Sequence, residues 1–567
     1  MGETVQDEQA AVDQGGAGGA LESILADAAL GTVHQWFPGT AGLRTAARLA
    51  TRPRTVARRG LGLTKDLAVI AAGRSRLKPA PKDRRFSDPA WTGNPLLRRL
   101  VQSYLVSAQA LDHLVDDAEL DWRDERRMRY LVDQVTAALA PSNAPFVNPA
   151  ALKAALDTGG MNYVRGAGQL VRELARKPHI PAMVDESAFA VGRDLAITPG
   201  QVVLRTPLIE LIQYRPRTEQ VREHPVLMVP PMINKYYVAD LAPGRSMIEH
   251  QLDNGLQVFT ISWRNPGAEE SDWGIDEYVG AVIDALDAVE SITGSPTTNL
   301  IGICAGGITA SITAGHLAAT GRLERVRSLT CAVTVLDQEQ AGTLGSIIDP
   351  QVAALAASES ARKGYLDGKA LAGVFAWLRP NDLVWNYWVN NYLLGKRPPA
   401  FDVLYWNGDS TRMPAKLHRD FLDMTVHNRL VDGSLRVRGT RIDLSKVTVD
   451  TYNLAGIADH ICPWENVYRS ARLFGSTPRF ILSTSGHIAA LVNPPTNPKA
   501  TWQTNDESPD DPEIWLKGAT THRGSWWTDW AAWANERSGE LVAAPQQLGD
   551  GDHAPIVAAP GTYVLER

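Results

Sequence analysis

Three side chains that could together run nucleophilic acyl transfer stand far apart in this chain. Cys304 lies in NLIGICAGGITASITAGHL, residues 299–317, where an apolar run from Leu300 to Ile303 meets the thiol, then Gly306 and Gly307, then a helix-like stretch from Ile308 to Leu317. A nucleophile on a sharp strand-to-helix turn needs small neighbours so that the turn closes and the side chain stands clear. Asp459 in YNLAGIADHICPW and His487 in FILSTSGHIAALVNPP each follow a run that reads as a strand. In such a set the histidine takes the thiol proton, and the carboxylate orients the imidazole or stabilises its charge. Asp459 could instead shape a turn, and His460 beside it competes for the base role. His487 is preferred because it sits in a Ser-Gly loop after a strand, where a ring can swing toward the nucleophile. Cys331 and Cys462 lack an elbow and read as structural cysteines. His316, His418 and His427 show no metal-ligand spacing, so neither a metal nor another cofactor is expected.

The oxyanion of acyl transfer needs two backbone N–H donors. Ala305, the residue after the nucleophile, is one; the other is expected from LMVPPMINKYYVADL, residues 227–241, at Ile233 or its neighbour Asn234. The thiol itself is informative. A serine that accepts an acyl group from a thioester leaves it as an oxygen ester and loses its activation, whereas a cysteine exchanges thioester for thioester. The acyl group then stays ready for a weak nucleophile such as an alcohol, provided water is kept out. The pattern therefore favours a transferase, with a Cys-dependent esterase or thioesterase of the same fold as the alternative.

These residues must be positioned by a sheet. Candidate strands are Val226–Val229, Gln257–Ile261, Leu300–Ile303, Val447–Leu454 and Arg479–Ser483, with amphipathic stretches such as DEYVGAVIDALDAVESI between some of them. Strands separated by helices imply a mostly parallel sheet with helices on both faces. The order nucleophile, acid, histidine is that of α/β-hydrolases. The predicted catalytic domain spans residues 201–567 and carries a long insertion at about 337–440, rich in aromatics (Trp377, Trp385, Trp388, Trp406, Tyr387, Tyr392, Tyr405) and suited to a lid. Residues 81–200 read as a helical domain, with Leu97, Val101, Tyr104, Ala108, Leu111 and Val115 forming one apolar stripe. Residues 1–80 read as a flexible arm whose basic run, eleven Lys/Arg against two Asp over residues 52–85, could touch a polyanion or an anionic surface.

Composition bounds the reading. With 567 residues, 44% hydrophobic and 21% charged, the chain has the make-up of a soluble globular protein, and a net charge of -6 gives no overall attraction to nucleic acid. Only three cysteines point to a reducing compartment. MGETVQDEQAAVDQGG lacks an apolar signal segment, and no apolar run reaches the length of a membrane span, so a cytoplasmic location is expected.

Long blocks resemble polyhydroxyalkanoate synthases of the single-chain type: GICAGG, PPMINKYYVADL, VFAWLRPNDLVWNYWVNNYLLG, ADHICPWENVYRSARLF, SGHIAALVNPP and WLKGATTHRGSWWTDWAAW, with DRRFSDPAWTGNPLLRRLVQSYL, LDTGGMNYVRGAGQL and VGRDLAITPGQVVLRTPLIELIQY upstream. The resemblance runs from about Asp83 to the C-terminus. WNGDSTRMPAKLH and GTRIDLSKVTVDTYNLAGIADHICPW look most like the medium-chain-length class (class II). The resemblance implies polymerisation of (R)-3-hydroxyacyl-CoA with release of CoA, at the surface of cytoplasmic polyester granules, by a homodimer. It assigns Cys304 as the acyl-bearing nucleophile, His487 as its base and Asp459 as the third member, with activation of the incoming 3-hydroxyl as a further role for Asp459.

Overall fold

Strands that read as unbroken apolar runs are those buried on both faces of a sheet. In the computed structural model, which describes residues 28–29, 39–81, 83–175, 179–338 and 350–567, eleven strands form one sheet. They are β1 (Gly200–Arg205), β2 (Ile209–Tyr214), β3 (Val226–Val229), β4 (Val258–Trp263), β5 (Thr298–Ile303), β6 (Val326–Ala332), β7 (Asp450–Gly456), β8 (Arg479–Ser483), β9 (Thr501–Thr504), β10 (Thr520–Arg523) and β11 (Val557–Ala558). Their spatial order is β10-β9-β8-β7-β6-β5-β3-β4-β2-β1-β11. The stretch from β8 to β4 is parallel, and antiparallel strands extend both margins. Every residue of β3, β4 and β5 is buried.

Val226–Val229 and Arg479–Ser483 form where the sequence predicts them, and the other three predicted strands shift by one to three residues. The strand the sequence conceals is β6, which lies between β5 and β7. Arg327 and Ser328 interrupt its apolar run, and Arg327 is exposed at its first turn of the sheet. The β1–β2 hairpin is concealed as well, because it stands at a sheet margin outside the alternation of strand and helix.

The N-terminal helices are α1 (Gly39–Ala50), α2 (Pro53–Ala71), α3 (Pro95–Ala118), α4 (Trp122–Ala138) and α5 (Met161–Leu174). Asn94 starts α3 by accepting from the N–H groups of Leu96 and Leu97, with Pro95 in the first turn. Val101 and Val115 of the predicted stripe are buried, while Leu111 is exposed. Within the expected flexible arm, residues 39–71 form α1 and α2, which dock on α3 and α4. Arg59 pairs with Asp117 at 2.6 Å, Arg44 with Asp124 at 2.8 Å, and Arg52 with Glu119. Part of the basic run is thus matched by acidic side chains of the same chain, which corrects the picture of a free basic patch. The rest of the arm, residues 1–38, lies outside the described residues apart from Ala28 and Ala29.

The aromatic insertion folds as helices Pro350–Lys363, Gly368–Leu378, Asp402–Gly408 and Ala415–Val426, with two π-helical turns at Pro380–Trp385 and Trp388–Leu393. Its residues 339–349 lie outside the described set. Trp377, Trp385, Trp388 and Tyr392 run edge to face at centroid spacings of 6.2, 5.8 and 5.2 Å. The helical N-terminal region grips this cap. Gln134 Nε2 donates to Trp377 O at 2.8 Å, Asn162 Nδ2 to Leu393 O at 2.8 Å, and Trp388 Nε1 to Asn143 O at 3.1 Å.

Behind the sheet ends, helix α8 (Trp526–Asn535) buries four tryptophans, three of which donate a ring N–H. Trp526 reaches Ala490 O at 2.7 Å, Trp527 reaches Leu491 O at 3.0 Å, and Trp530 reaches Thr330 Oγ1 at 3.0 Å. Trp526→Ala removes a fully buried indole and leaves Ala490 O unpaired, so the variant is expected to lose about 3–5 kcal/mol of stability. A guanidinium midpoint unchanged from wild type would refute that account of α8.

Candidate active site

Cys304 follows the last residue of β5 with φ 50° and ψ −120°, a left-handed conformation that a non-glycine residue adopts only when its surroundings enforce it. Here they do. The Cys304 N–H donates to Ala332 O on β6 at 2.9 Å, and its carbonyl accepts from Gly307 N at 2.9 Å as α9 (Ala305–Ala319) begins. A Cβ on Gly302 would lie 2.4 Å from Gly307 Cα, and one on Gly306 only 2.2 Å from Val229 O. The glycines therefore let helix, strand and the loop after β3 close around the thiol. That helix is buried on every side from Ala305 to Leu317, so it carries no single apolar face.

Asp459 and His487 stand just beyond the carboxyl ends of β7 and β8, on the same edge of the parallel sheet as Cys304, where open α/β sheets gather their reactive groups. His487 Nδ1 lies 2.7 Å from Asp459 Oδ2, with both side chains buried. Asp459 Oδ1 accepts from the N–H groups of Ile461 at 2.8 Å and Cys462 at 2.9 Å. The structure thus brings together the three residues nominated from sequence, and adds one that sequence reading set aside. The sulfurs of Cys304 and Cys462 and a ring nitrogen of His487 lie within 4.8 Å of one another. Cys462 is no remote structural cysteine, in contrast to the sequence reading; its place three residues after Asp459, in the turn that the carboxylate organises, is the signal that marks it. Among the described residues this is also the one cluster whose donor atoms could share a metal ion.

The electrostatics of the cluster follow from these contacts. Hydrogen bonding from Cys462 lowers the Cys304 pKa most; burial opposes it, and the His487 charge and the Ala305 N–H add to the lowering, bringing it down to about 5. Burial pulls the His487 pKa down, but the Asp459 carboxylate and the Cys304 thiolate outweigh it and hold the ring well above its ordinary value. Both shifts favour a thiolate–imidazolium pair over a neutral thiol and imidazole. Cys331 differs: burial pushes its thiol up to about 12, with Ser311 Oγ 3.4 Å away. His460, the rival base, has its pKa pushed down to about 3 by desolvation and then by Arg379, which leaves it a poor proton acceptor.

Ala305 opens α9 with its N–H beside the thiolate. Across from it, Pro230 and Pro231 have no N–H, so Met232 and Ile233 are the first donors after β3. This loop is pinned from several sides. Trp263 Nε1 donates to Pro230 O at 2.8 Å, Thr411 N to Ile233 O at 3.0 Å, and Trp406 Nε1 to Lys235 O at 2.7 Å. Asn234 is bridged to Ser410 of the cap. A cavity of about 990 Å³ opens onto His487 and Ile488, walled by the cap through Phe375, Trp385 and Leu404 and by the N-terminal region through Trp91.

The family model for the poly-beta-hydroxybutyrate polymerase (PhaC) N-terminus matches residues 82–251, and that for the alpha/beta hydrolase fold matches residues 234–494. Poly(3-hydroxyalkanoate) polymerase 2 of Ectopseudomonas oleovorans is 46% identical over 93% of this chain and 94% of its own length. The chain belongs to the poly(3-hydroxyalkanoate) polymerase family. Poly(3-hydroxyalkanoate) polymerase 1 of the same organism is 46% identical over 88% of this chain and 90% of its own. The polymerase subunit of Cupriavidus necator is 38% identical over 95% and 93% respectively. In this polymerase family member the α/β-hydrolase fold and the helical region before it are both present, as the sequence predicts.

A depressed thiol pKa means that the thiolate persists as pH falls and is lost only on passing through the folded-state value. Alkylation of Cys304 by iodoacetamide is therefore expected to fall by half near pH 5, where an ordinary thiol does so near pH ~8.5. In Asp459→Asn the imidazolium loses its carboxylate, and the midpoint is expected to move upward. A wild-type midpoint near that of a free thiol would sink the ion-pair description.

Proposed function

We propose that this polymerase family member elongates polyester from (R)-3-hydroxyacyl-CoA through an acyl thioester on Cys304. The observation that carries this reading is the thiol on the strained elbow, held with His487 and Asp459 in one buried cluster. The Cys304 thiolate attacks the thioester carbonyl, the oxyanion is met by the N–H groups of Ala305 and Ile233, and CoA departs with the proton from the His487 imidazolium. Neutral His487 then takes the proton of an incoming 3-hydroxyl, which attacks the acyl-cysteine and returns the thiolate. The chain supplies nucleophile, base and oxyanion donors itself, so this route calls for no metal or organic cofactor.

The contacts of Asp459 favour one of its two expected roles. Oδ2 faces His487 and Oδ1 holds two backbone N–H groups, on a side chain with no exposed surface. That arrangement supports orienting His487 and balancing its charge rather than touching the incoming alcohol. The cavity volume lies near the upper end of the roughly 300–1,000 Å³ of small-molecule sites, room for an acyl chain beneath a cap that limits water.

We assign the product side of the molecule to its helical region. Leu156, on the helix Pro149–Thr158, is 85% exposed, and Val164, Val171 and Leu174 on α5 are 62%, 69% and 57% exposed, with Phe146 78% exposed in the turn that precedes these helices. Apolar groups exposed in this way suit an apolar surface such as a polyester granule or a second copy of the chain, and among the described residues no helix is long and apolar enough to cross a membrane. A granule-bound homodimer in the cytoplasm is the assembly that this reading carries.

The deciding experiment follows CoA release from (R)-3-hydroxybutyryl-CoA and (R)-3-hydroxyoctanoyl-CoA while assaying for insoluble polyester. Wild type is expected to give both, and Cys304→Ala to lose at least ~10³-fold in thiol release. Thiol release accompanied only by soluble 3-hydroxy acid would mean that water reaches the acyl-cysteine, and a Cys-dependent hydrolase would replace the polymerase. Separately, Leu156→Lys with Val171→Lys is expected to shift the protein from the granule fraction to the soluble one without loss of fold. Unchanged sedimentation would remove this face from the granule contact.

A further inference from the structure

The proposed acyl transfer leaves a second thiol at the site unused. Cys462 is buried, its N–H is held by Asp459 Oδ1 at 2.9 Å, and its sulfur lies within 4.8 Å of both the Cys304 sulfur and a ring nitrogen of His487. The two thiols come from different loops, one at the end of β5 and one beyond β7, so a bond between them would tie together the two halves of the site. A disulfide needs its sulfurs about 2.05 Å apart, and rotation about one Cα–Cβ bond carries a sulfur through roughly 3 Å. The gap is within the reach of side-chain rotation. Cys304 also has its thiol pKa lowered, and it stands beside His487, a ring whose raised pKa lets it protonate a leaving oxygen. The cavity that reaches His487 is ample for a molecule as small as a hydroperoxide.

We propose that Cys304 and Cys462 form a hydroperoxide-reactive thiol pair, in which Cys462 resolves oxidised Cys304 into an intrachain disulfide and so makes oxidation of the site reversible. In the first step the Cys304 thiolate attacks one oxygen of hydrogen peroxide, the O–O bond breaks, and the departing hydroxide takes the His487 proton and leaves as water. Cys304 is now a sulfenic acid. In the second step neutral His487 accepts the Cys462 proton, the Cys462 sulfur attacks the Cys304 sulfur, the S–O bond breaks, and the hydroxide recovers the proton from His487 as a second water. The balance is two thiols and one peroxide giving one disulfide and two waters, with the sulfurs losing two electrons and the peroxide gaining them. Without a resolving thiol, further peroxide carries a sulfenic acid to sulfinic acid, which thiol reductants do not reverse. Cys331, with its raised pKa and its place on β6, serves as an internal comparison expected to stay reduced.

The inference rests on Cys304 being a reactive thiolate, but its first readout is a mass and does not require polymer formation. The full-length reduced protein is treated with hydrogen peroxide in the presence of a chelator, quenched with an alkylating agent and mapped by non-reducing peptide mass spectrometry. The expected product is a peptide pair joining Cys304 to Cys462, two hydrogens lighter than the sum of its parts, with Cys331 alkylated. In parallel, CoA release is expected to fall at least ~10-fold and to return to within about twofold of the untreated value on adding dithiothreitol. Cys462→Ser, compared with its own untreated activity, is expected to stay inactive after the same treatment, with Cys304 found as sulfinic acid. Wild-type Cys304 recovered as sulfinic acid or unmodified, a disulfide joining two chains, or recovery of Cys462→Ser equal to that of wild type would each overturn the proposal.

Discussion

The 2.7 Å contact between His487 Nδ1 and Asp459 Oδ2 is the bond around which the site is arranged. A buried imidazolium is tolerable only with a carboxylate against it, and a buried carboxylate only when its remaining lone pairs are satisfied. Both conditions are met locally. Asp459 spends its second oxygen on the N–H groups of Ile461 and Cys462, and its charge favours the proton on His487, which joins the larger effect of Cys462 in lowering the Cys304 pKa. The sheet contributes by delivering the three residues from the same edge, each just past a parallel strand end. Helix α8 contributes from behind: the indoles of Trp526 and Trp527 bond the carbonyls of Ala490 and Leu491 and so hold the turn that starts at His487.

Much of this was legible in the sequence, and for a chemical reason. Cys304, Asp459 and His487 each sit at the boundary between an apolar run and a glycine-rich or polar turn, and such boundaries are what a parallel sheet turns into strand ends. The strands β3 and β8 were readable because their apolar runs are unbroken, VLMV in one and FIL in the other. What escaped was whatever depends on a partner elsewhere in the chain. Strand β6 carries Arg327 and Ser328 and looks like a loop until β5 and β7 flank it. Helix α2 looks like a solvated basic arm until Asp117 is seen opposite Arg59. The role of Cys462 is a distance to another sulfur, and sequence carries no such distance.

The division into helical region, cap and catalytic core is also less sharp in three dimensions than along the chain. The cap's aromatic segment is anchored by hydrogen bonds from Gln134 and Asn162 and by the one that Trp388 donates to the Asn143 carbonyl, so the N-terminal region acts as the cap's outer support. The proposed acyl-cysteine route would give such support a purpose, since an acyl-cysteine waiting for an alcohol is useful only while water is kept away from it.

The seam between cap and core runs through the oxyanion loop. Thr411 N bonds the Ile233 carbonyl as part of the bridge between Asn234 and Ser410, and Trp406 bonds the Lys235 carbonyl, so residues 406–411 form a splint along the backbone that carries the proposed second oxyanion donor. Lifting that end of the cap must either break the bridge and the Trp406 bond or drag Ile233 with it. On the proposed route, shelter for the acyl group and alignment of the oxyanion peptide are therefore mechanically one condition, and a molecule whose roof is ajar there is also one whose oxyanion loop has lost its splint.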